Sequence, residues 1–406
     1  MRADAAIPPL SRRKKALFIM AIFALMMGLA EGLARAIDAW TYVSVGELRE
    51  TYRQRRDWRL GKSWPLQRGD YPYLPYVPNP EHPEVNELGF RGKPFSREKA
   101  PDSYRIFCLG GSTTWNGYPV HLEQELRGDF ARHGLNLEVI NAGNQCWTSL
   151  ESLINFITRC LPLKPDAIVV YQAINDAIFA FSETVSPDYT HFRKRFERDA
   201  PLFWDYLPEF LDHSAAFAGF RAVFERKVGT RGIKIDIIKD IDQSGPRPYL
   251  SIEPYRQNIR TLVSIARARG IEVFLCTQVF NREYEYRFHL QRRWADAVDD
   301  VNNMTRSFAG RWDDVHVIDV AAALRGSSDL MTDYCHFTED GKARLAGFIG
   351  GKIRPHIVSL VTRRKDKRED TTASLAEAVQ PKGLPSRRHP QSERLSPSNQ
   401  DVRRHE

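Results

Sequence analysis

Four short polar groups in this sequence have the residue types needed for chemistry on a carbonyl. Ser112 follows Gly110-Gly111 at the end of an apolar run that begins at Tyr104. Asn141-Ala142-Gly143, Ala173-Ile174-Asn175-Asp176 and Asp333-Tyr334-Cys335-His336 come later in the chain. A free serine hydroxyl is a poor nucleophile and needs a base within hydrogen-bond reach. His336 can take its proton and later deliver it to a leaving group. Asp333 lies three residues before His336, so a turn brings its carboxylate to the far ring nitrogen. There it fixes the tautomer and stabilises the imidazolium. A tetrahedral oxyanion needs preorganised donors, and the backbone N–H groups of Ser112 and Gly143 and the side-chain amide of Asn175 fit that need. Together these groups form a complete acyl-transfer set.

Such a set works only if one scaffold gathers residues more than 200 positions apart. The hydrophobic patterning supplies one. Strands are predicted over Tyr104–Leu109, Leu135–Asn141, Asp166–Tyr171, Ile271–Cys276 and Val315–Val320. Helices are predicted over Tyr118–His133, Leu150–Leu161, Glu253–Arg269, about Tyr286–Ala309 and Glu339–Val361. Five strands alternating with helices imply a parallel sheet covered on both faces. Each polar group then falls at or beyond the carboxyl end of a strand, where open α/β sheets place their ligand crevices. Gly110-Gly111 is read as a sharp turn made by glycine's dihedral freedom, delivering Ser112 beside the first N–H groups of a helix.

At these residues the sequence resembles the SGNH hydrolases, a branch of the GDSL-type lipases and acylhydrolases. Gly110-Gly-Ser112, Asn-Ala-Gly143, Asn175-Asp176 and Asp333-x-x-His336 are similar to that family's four blocks, in order. The upstream Asn86-x-x-Gly89-Phe-Arg-Gly92 and the form Gly-Gly-Ser-Thr-Thr resemble a bacterial, often membrane-anchored subgroup. The resemblance spans about residues 80–360. It implies a flavodoxin-like three-layer α/β/α sandwich. It also implies Ser112 as nucleophile, His336 as base, Asp333 as its partner, and Ser112, Gly143 and Asn175 at the oxyanion hole, with no metal or cofactor. Two positions depart from the pattern. Ala173 stands where the third block usually has glycine, and Phe337 follows the histidine where many members have proline. Neither removes a chemical group, so both bear on substrate rather than on mechanism. The Gly-x-Ser-x-Gly elbow of α/β-hydrolases is absent around Ser112. No His-Glu-x-x-His, Walker loop or cysteine–histidine metal spacing occurs.

Charge and composition narrow the setting. The 406 residues are 42% hydrophobic and 27% charged, with a net charge of +8. Residues 1–15 hold five basic side chains and one acid, and residues 363–406 hold eleven basic and seven acidic ones. The body between is near neutral, and its composition gives no reason to expect a nucleic-acid partner. The five cysteines are scattered, and Cys108, Cys160 and Cys276 lie in apolar runs as small buried hydrophobes. Cys146 and Cys335 lie near motifs, and neither is expected to be a nucleophile.

Arg12-Arg-Lys-Lys15 precedes an uncharged run from Ala16 to Ala30, interrupted by Glu31. A basic flank before an apolar helix predicts a signal anchor over 16–37 with the body outside the cytoplasm, periplasmic in a Gram-negative cell. The competing reading is a cleaved signal peptide with Ala34-Arg-Ala36 as its small-x-small site. Residues 38–100 read as a juxtamembrane, Pro- and Tyr-rich extended connector. A hydrolase domain is expected over 101–361. Its aromatic-rich helical insertion at 177–250 (Phe179, Phe181, Phe203, Trp204, Tyr206, Phe210, Phe217, Phe220, Phe224) is placed to shape a substrate cleft. The polar tail over 362–406 reads as disordered.

The sequence thus predicts a membrane-anchored serine esterase cleaving O-acyl esters of a glycan or a lipid through an acyl-enzyme on Ser112. An O-acyltransferase with the same triad and a non-catalytic envelope-binding protein are the alternatives.

Overall fold

The computed structural model describes residues 11–40, 53, 56, 67–68, 71–182, 184–193, 203–228, 245–248, 250–284 and 288–362. The predicted tail at 362–406, apart from the helical Thr362, most of the basic N-terminal segment and much of the connector lie outside the described residues. The chain divides into two compact units, 1–357 and 358–406. In the second unit, residues 358–362 are described, and they are helical.

In the first unit, α1 (Arg12–Trp40) is a single long helix. The sheet begins with β1 (Ser103–Gly110), every residue of which is buried. After it come α2 (Ser112–Trp115), α3 (Tyr118–Ala131), β2 (Asn136–Asn141), α4 (Ser149–Asn155), β3 (Ala167–Tyr171) and α5 (Ile174–Phe179). The chain continues through α6 (Ala215–Val228), α7 (Glu253–Ala268), β4 (Glu272–Cys276), α8 (Phe288–Arg306), β5 (Val315–Ile318), α9 (Val320–Ala323) and α10 (Glu339–Ile353). The five strands are parallel and ordered β2-β1-β3-β4-β5. That is the flavodoxin-like order, whose switch point lies beside β1.

Strands buried on both faces read as near-continuous apolar runs, and β1, β3 and β4 do so because helices cover both sides. One layer packs α3 against α10. There Leu122 of α3 lies under Gly350, and the rings of Tyr104 of β1 and Phe130 pack tilted with centroids 4.7 Å apart. Side chains alternate along a strand, so Phe107 and Leu109 face the other way. They join Ile168, Val170, Val273 and Leu275 in one core with Leu262 of α7 and Val298 and Val301 of α8.

Several boundaries differ from the sequence prediction, each for a local reason. The helix expected over 150–161 is α-helical only to Asn155. It loosens into a π turn (Phe156–Cys160) and ends in a 3-10 turn containing Pro162. The last strand stops at Ile318, because Asp319 caps α9 through the N–H of Ala322. The final helix ends at Ile353, where Pro355 supplies no N–H to continue it and a 3-10 turn follows. Part of the expected connector is not a free linker. Leu74, Tyr76 and Val77 are buried with Trp147, and Tyr76 donates its hydroxyl proton to Gln145 O at 2.7 Å. The turn at 86–92 wraps around the side chain of Asn86, whose Oδ1 accepts the N–H groups of Leu88 and Phe90.

Candidate active site

Ser112 is the first residue of α2, immediately after β1. The two glycines before it are not in the left-handed region. Gly111 has φ −86°, and Gly110 is not among the positive-φ glycines. They serve close approach instead. A Cβ on Gly110 would lie 2.3 Å from Tyr171 O and 2.2 Å from Thr114 Oγ1. A Cβ on Gly111 would lie 2.8 Å from Asn175 Nδ2 and 3.2 Å from Trp147 O. The turn is therefore glycine because β3, the Trp147 loop and α5 crowd it, and not because its dihedrals require glycine. This corrects the reason read from the sequence.

The structure brings Ser112, His336 and Asp333 into one hydrogen-bonded line. Ser112 Oγ lies 2.7 Å from His336 Nε2. His336 Nδ1 lies 2.7 Å from Asp333 Oδ2. The other oxygen, Asp333 Oδ1, accepts the backbone N–H groups of Cys335 and His336, each at 2.8 Å. Burial pushes the Asp333 carboxyl up, but the His336 ring and the two N–H groups outweigh it and hold the pKa below the usual range. The carboxylate is thus the stable form, as an acceptor for an imidazole N–H must be. The Ser112–His336 contact bridges 224 positions of sequence.

The Asn175 side chain stands against Gly111 and donates to Trp147 O at 2.8 Å, leaving its second amide hydrogen for another acceptor. The N–H of Ser112 starts a helix and has no intrahelical acceptor. The N–H of Gly143 donates to Asn141 Oδ1 at 3.1 Å. A Cβ at Gly143 would lie 2.7 Å from Thr114 Cβ and 2.9 Å from Trp115 N, so this glycine lets the β2 loop press against α2.

Other residues matter here to which sequence reasoning gave no role. Asn141 donates its side-chain amide to Thr114 O and Trp115 O at 3.0 and 3.1 Å, and Arg91 donates to Trp115 O at 2.5 Å. These donors close the carbonyl end of α2 and fix the turn that carries Ser112. Both residues sit inside quoted motifs, and their identity as fixed donors at motif positions was the available signal. Asp176, next to Asn175, is buried. It accepts from the Ser149 N–H and hydroxyl, the Tyr189 hydroxyl and the Gln172 amide. Burial drives its pKa up to about 6 against those hydrogen bonds.

The ligand-type atoms of Asp333, Cys335 and His336 lie within 4.8 Å of one another. Both imidazole nitrogens are already engaged, and burial holds the Cys335 thiol well above its ordinary pKa, in its protonated form. The donor set suits a proton relay better than an ion. The five cysteines are thiols rather than disulfides, and Cys108, Cys160, Cys276 and Cys335 are buried.

A serine–imidazole–carboxylate line with amide donors around the serine can form and hydrolyse an acyl-enzyme. A comparison with curated proteins finds no match. Among solved structures, the chain is similar to a lipase/acylhydrolase from Enterococcus faecalis (19% identity, 62% of this chain, 96% of that one, TM-score 0.35). It is also similar to a GDSL-like lipase from Bacteroides thetaiotaomicron (13%, 63% and 88%, TM-score 0.36) and to the acetyl xylan esterase AlAXEase (12%, 61% and 99%, TM-score 0.36). The profile of the GDSL-like Lipase/Acylhydrolase family matches residues 108–344, more than half the chain and from β1 into α10. With that match the chain belongs to the GDSL-like lipase/acylhydrolase family and is a serine hydrolase of ester bonds.

Proposed function

We infer that this protein is an envelope esterase that removes O-acyl groups through an acyl-enzyme on Ser112, with an acylated glycan as its substrate class. The observation that carries the reading is the unbroken line from Ser112 Oγ through His336 to Asp333, at 2.7 Å in each step. As the Ser112 oxygen attacks the ester carbonyl, His336 Nε2 takes its proton. The oxyanion is met by the N–H of Ser112 and the free amide hydrogen of Asn175. The Gly143 N–H joins them by sharing its proton between Asn141 Oδ1 and the oxyanion. Collapse expels the alcohol, which receives the proton held on Nε2. Water then repeats the sequence: His336 takes its proton, the acyl group leaves as the acid, and Ser112 is restored. Asp333 stays ionised throughout and balances the imidazolium.

The triad is partly exposed, with about a quarter of the His336 and Asp333 side chains open to solvent (25% and 27%). That supports an alcohol portion too bulky to be swallowed, as a polymer-borne ester is. The placement outside the cytoplasm rests on α1. Within Arg12–Ile37 an 18-residue window has mean hydropathy 2.1 with none of it buried, and Arg12-Arg-Lys-Lys15 flanks the inner side.

Labelling with a fluorophosphonate probe tests the chemistry. The full-length protein should label and Ser112→Ala should not. An unlabelled wild type that is also inert toward short-chain aryl esters would sink the enzyme assignment of these residues. Release of free acetate from O-acetylated polysaccharide tests the substrate. Acetate appearing on an added sugar hydroxyl instead would make the protein a transferase. Alkaline carbonate that strips the intact chain from membranes would remove the anchor.

A further inference from the structure

Outside α1, the exposed aromatic side chains among the described residues are Tyr73, Trp312 and a group confined to the insertion: Phe203, Tyr206, Phe210, Phe220 and Phe224. Soluble surfaces scatter such residues singly, and a local concentration marks an interaction surface. Phe220 and Phe224 are four apart on α6 and therefore share a face, with ring centroids 6.2 Å apart. Arg221, between them in sequence, turns inward and pairs with buried Asp205 at 3.3 Å, locking α6 to the turn Phe203–Tyr206. The segment is thus inverted relative to a soluble surface, with its charge pair inside and its aromatic rings outside.

What covers those rings follows from where the segment is tied. Glu31 of α1 lies at the outer end of the uncharged run 16–30. Its carboxylate accepts the Ser214 hydroxyl at 2.7 Å and the N–H groups of Ala215 and Ala216 at 3.0 Å each, capping the N-terminus of α6. Arg35 completes the knot by donating to Glu31 at 2.7 Å. The first turn of α6 is therefore held beside the helix that enters the bilayer, at the level where its apolar run stops. Polar groups cluster at that level and apolar side chains lie just below it, as at the boundary between lipid headgroups and acyl chains. Aromatic rings are favoured there.

We propose that the aromatic face of the insertion, Phe203 to Phe224, is a second membrane-contacting surface that rests on the lipid headgroup–acyl boundary beside α1. The proposal relies on α1 being a retained anchor. It goes beyond the esterase reading, because it orients the domain as well as tethering it. The insertion begins within α5, which carries Asn175, and its aromatic segment follows later in the same insertion.

The test uses the full-length chain in nanodiscs of phosphatidylethanolamine and phosphatidylglycerol containing an alkyne-tagged phospholipid. p-Benzoylphenylalanine is placed singly at positions 220 and 224, at Phe23 within α1, and at Val120, an exposed apolar residue on α3. Retained fluorophosphonate labelling confirms that each variant is folded. Lipid adducts at 220 and 224 are expected at roughly ten times the Val120 level, approaching that of Phe23. Adducts at 220 and 224 no higher than at Val120, with Phe23 labelled, would overturn the second contact and leave the anchor standing. Failure at Phe23 would overturn both. A protein-sized adduct at 220 in native membranes would replace the lipid with a protein partner.

Discussion

Asp333 and Asp176 are two carboxylates near one site that their surroundings push in opposite directions. Asp333 stays below its ordinary range because a ring N–H and two backbone N–H groups address its charge. Asp176 is driven up to about 6 because its burial outweighs four donors. A folded pKa raised above the unfolded value contributes stability that is full below the unfolded pKa and is lost as pH rises through the folded one. The Asp176 component should therefore fade between about pH 4 and pH 6. Equilibrium urea unfolding of wild type and Asp176→Asn should show a stability gap that narrows with rising pH across that window. The total change should be on the order of 3 kcal/mol for a shift from 3.8 to about 6. A flat gap would show that Asp176 ionises at its ordinary pKa, and a widening one that its pKa is lowered; either would overturn the raised value.

At the scale of elements, the turn into α2 makes a sharp distinction between adjacent glycines. In Gly110→Ala the new methyl meets the backbone oxygen of Tyr171, which cannot move without shifting β3, so the expected effect is loss of stability. In Gly111→Ala the methyl first meets Asn175 Nδ2, the mobile end of a side chain. The fold should survive, while displacement of a proposed oxyanion donor costs about 10²-fold in kcat on an aryl ester. Thermal melts and steady-state kinetics on both variants separate the two. A Gly111→Ala enzyme with unchanged kcat would remove Asn175 from the oxyanion hole.

The five parallel strands and the polar residues gathered at their ends were legible in the sequence, because buried parallel strands are written as apolar runs and polar side chains at their carboxyl ends stand out; the flavodoxin-like arrangement entered only through the family resemblance. The supports of α2 were less legible. Asn141 and Arg91 act by donating to backbone carbonyls of a four-residue helix, and neither a helix that short nor the carbonyls it leaves open has any signature in hydrophobic periodicity. Nor did the patterning foresee the docking of Leu74, Tyr76 and Val77. A proline-rich stretch looks extended whether it is solvated or packed.

Across the whole molecule, the insertion is held to the hydrolase core by a buried ion pair. Arg193 donates to Glu151 at 2.7 Å and also reaches Cys146 O at 2.5 Å, while Glu151 caps α4 in a box with Thr148. Burial alone would raise the Glu151 pKa, but the Arg193 charge reverses it and keeps the carboxyl ionised. Removing one partner strands a charge in the interior, so Arg193→Met should cost about 3–5 kcal/mol by urea unfolding. A variant of wild-type stability would mean that the insertion is held elsewhere.

The cap that Glu31 provides also constrains how the protein can mature. Glu31 lies upstream of Ala34-Arg35-Ala36, the sequence a signal peptidase would cut. Cleavage there would discard the acceptor of Ser214, Ala215 and Ala216 along with the leader. A helix stripped of its cap loses about 1–2 kcal/mol, here at the first turn of α6. Biogenesis therefore offers this chain no neutral choice between shedding its leader and keeping it. The residue that caps α6 is encoded in the segment that a secreted form would leave behind.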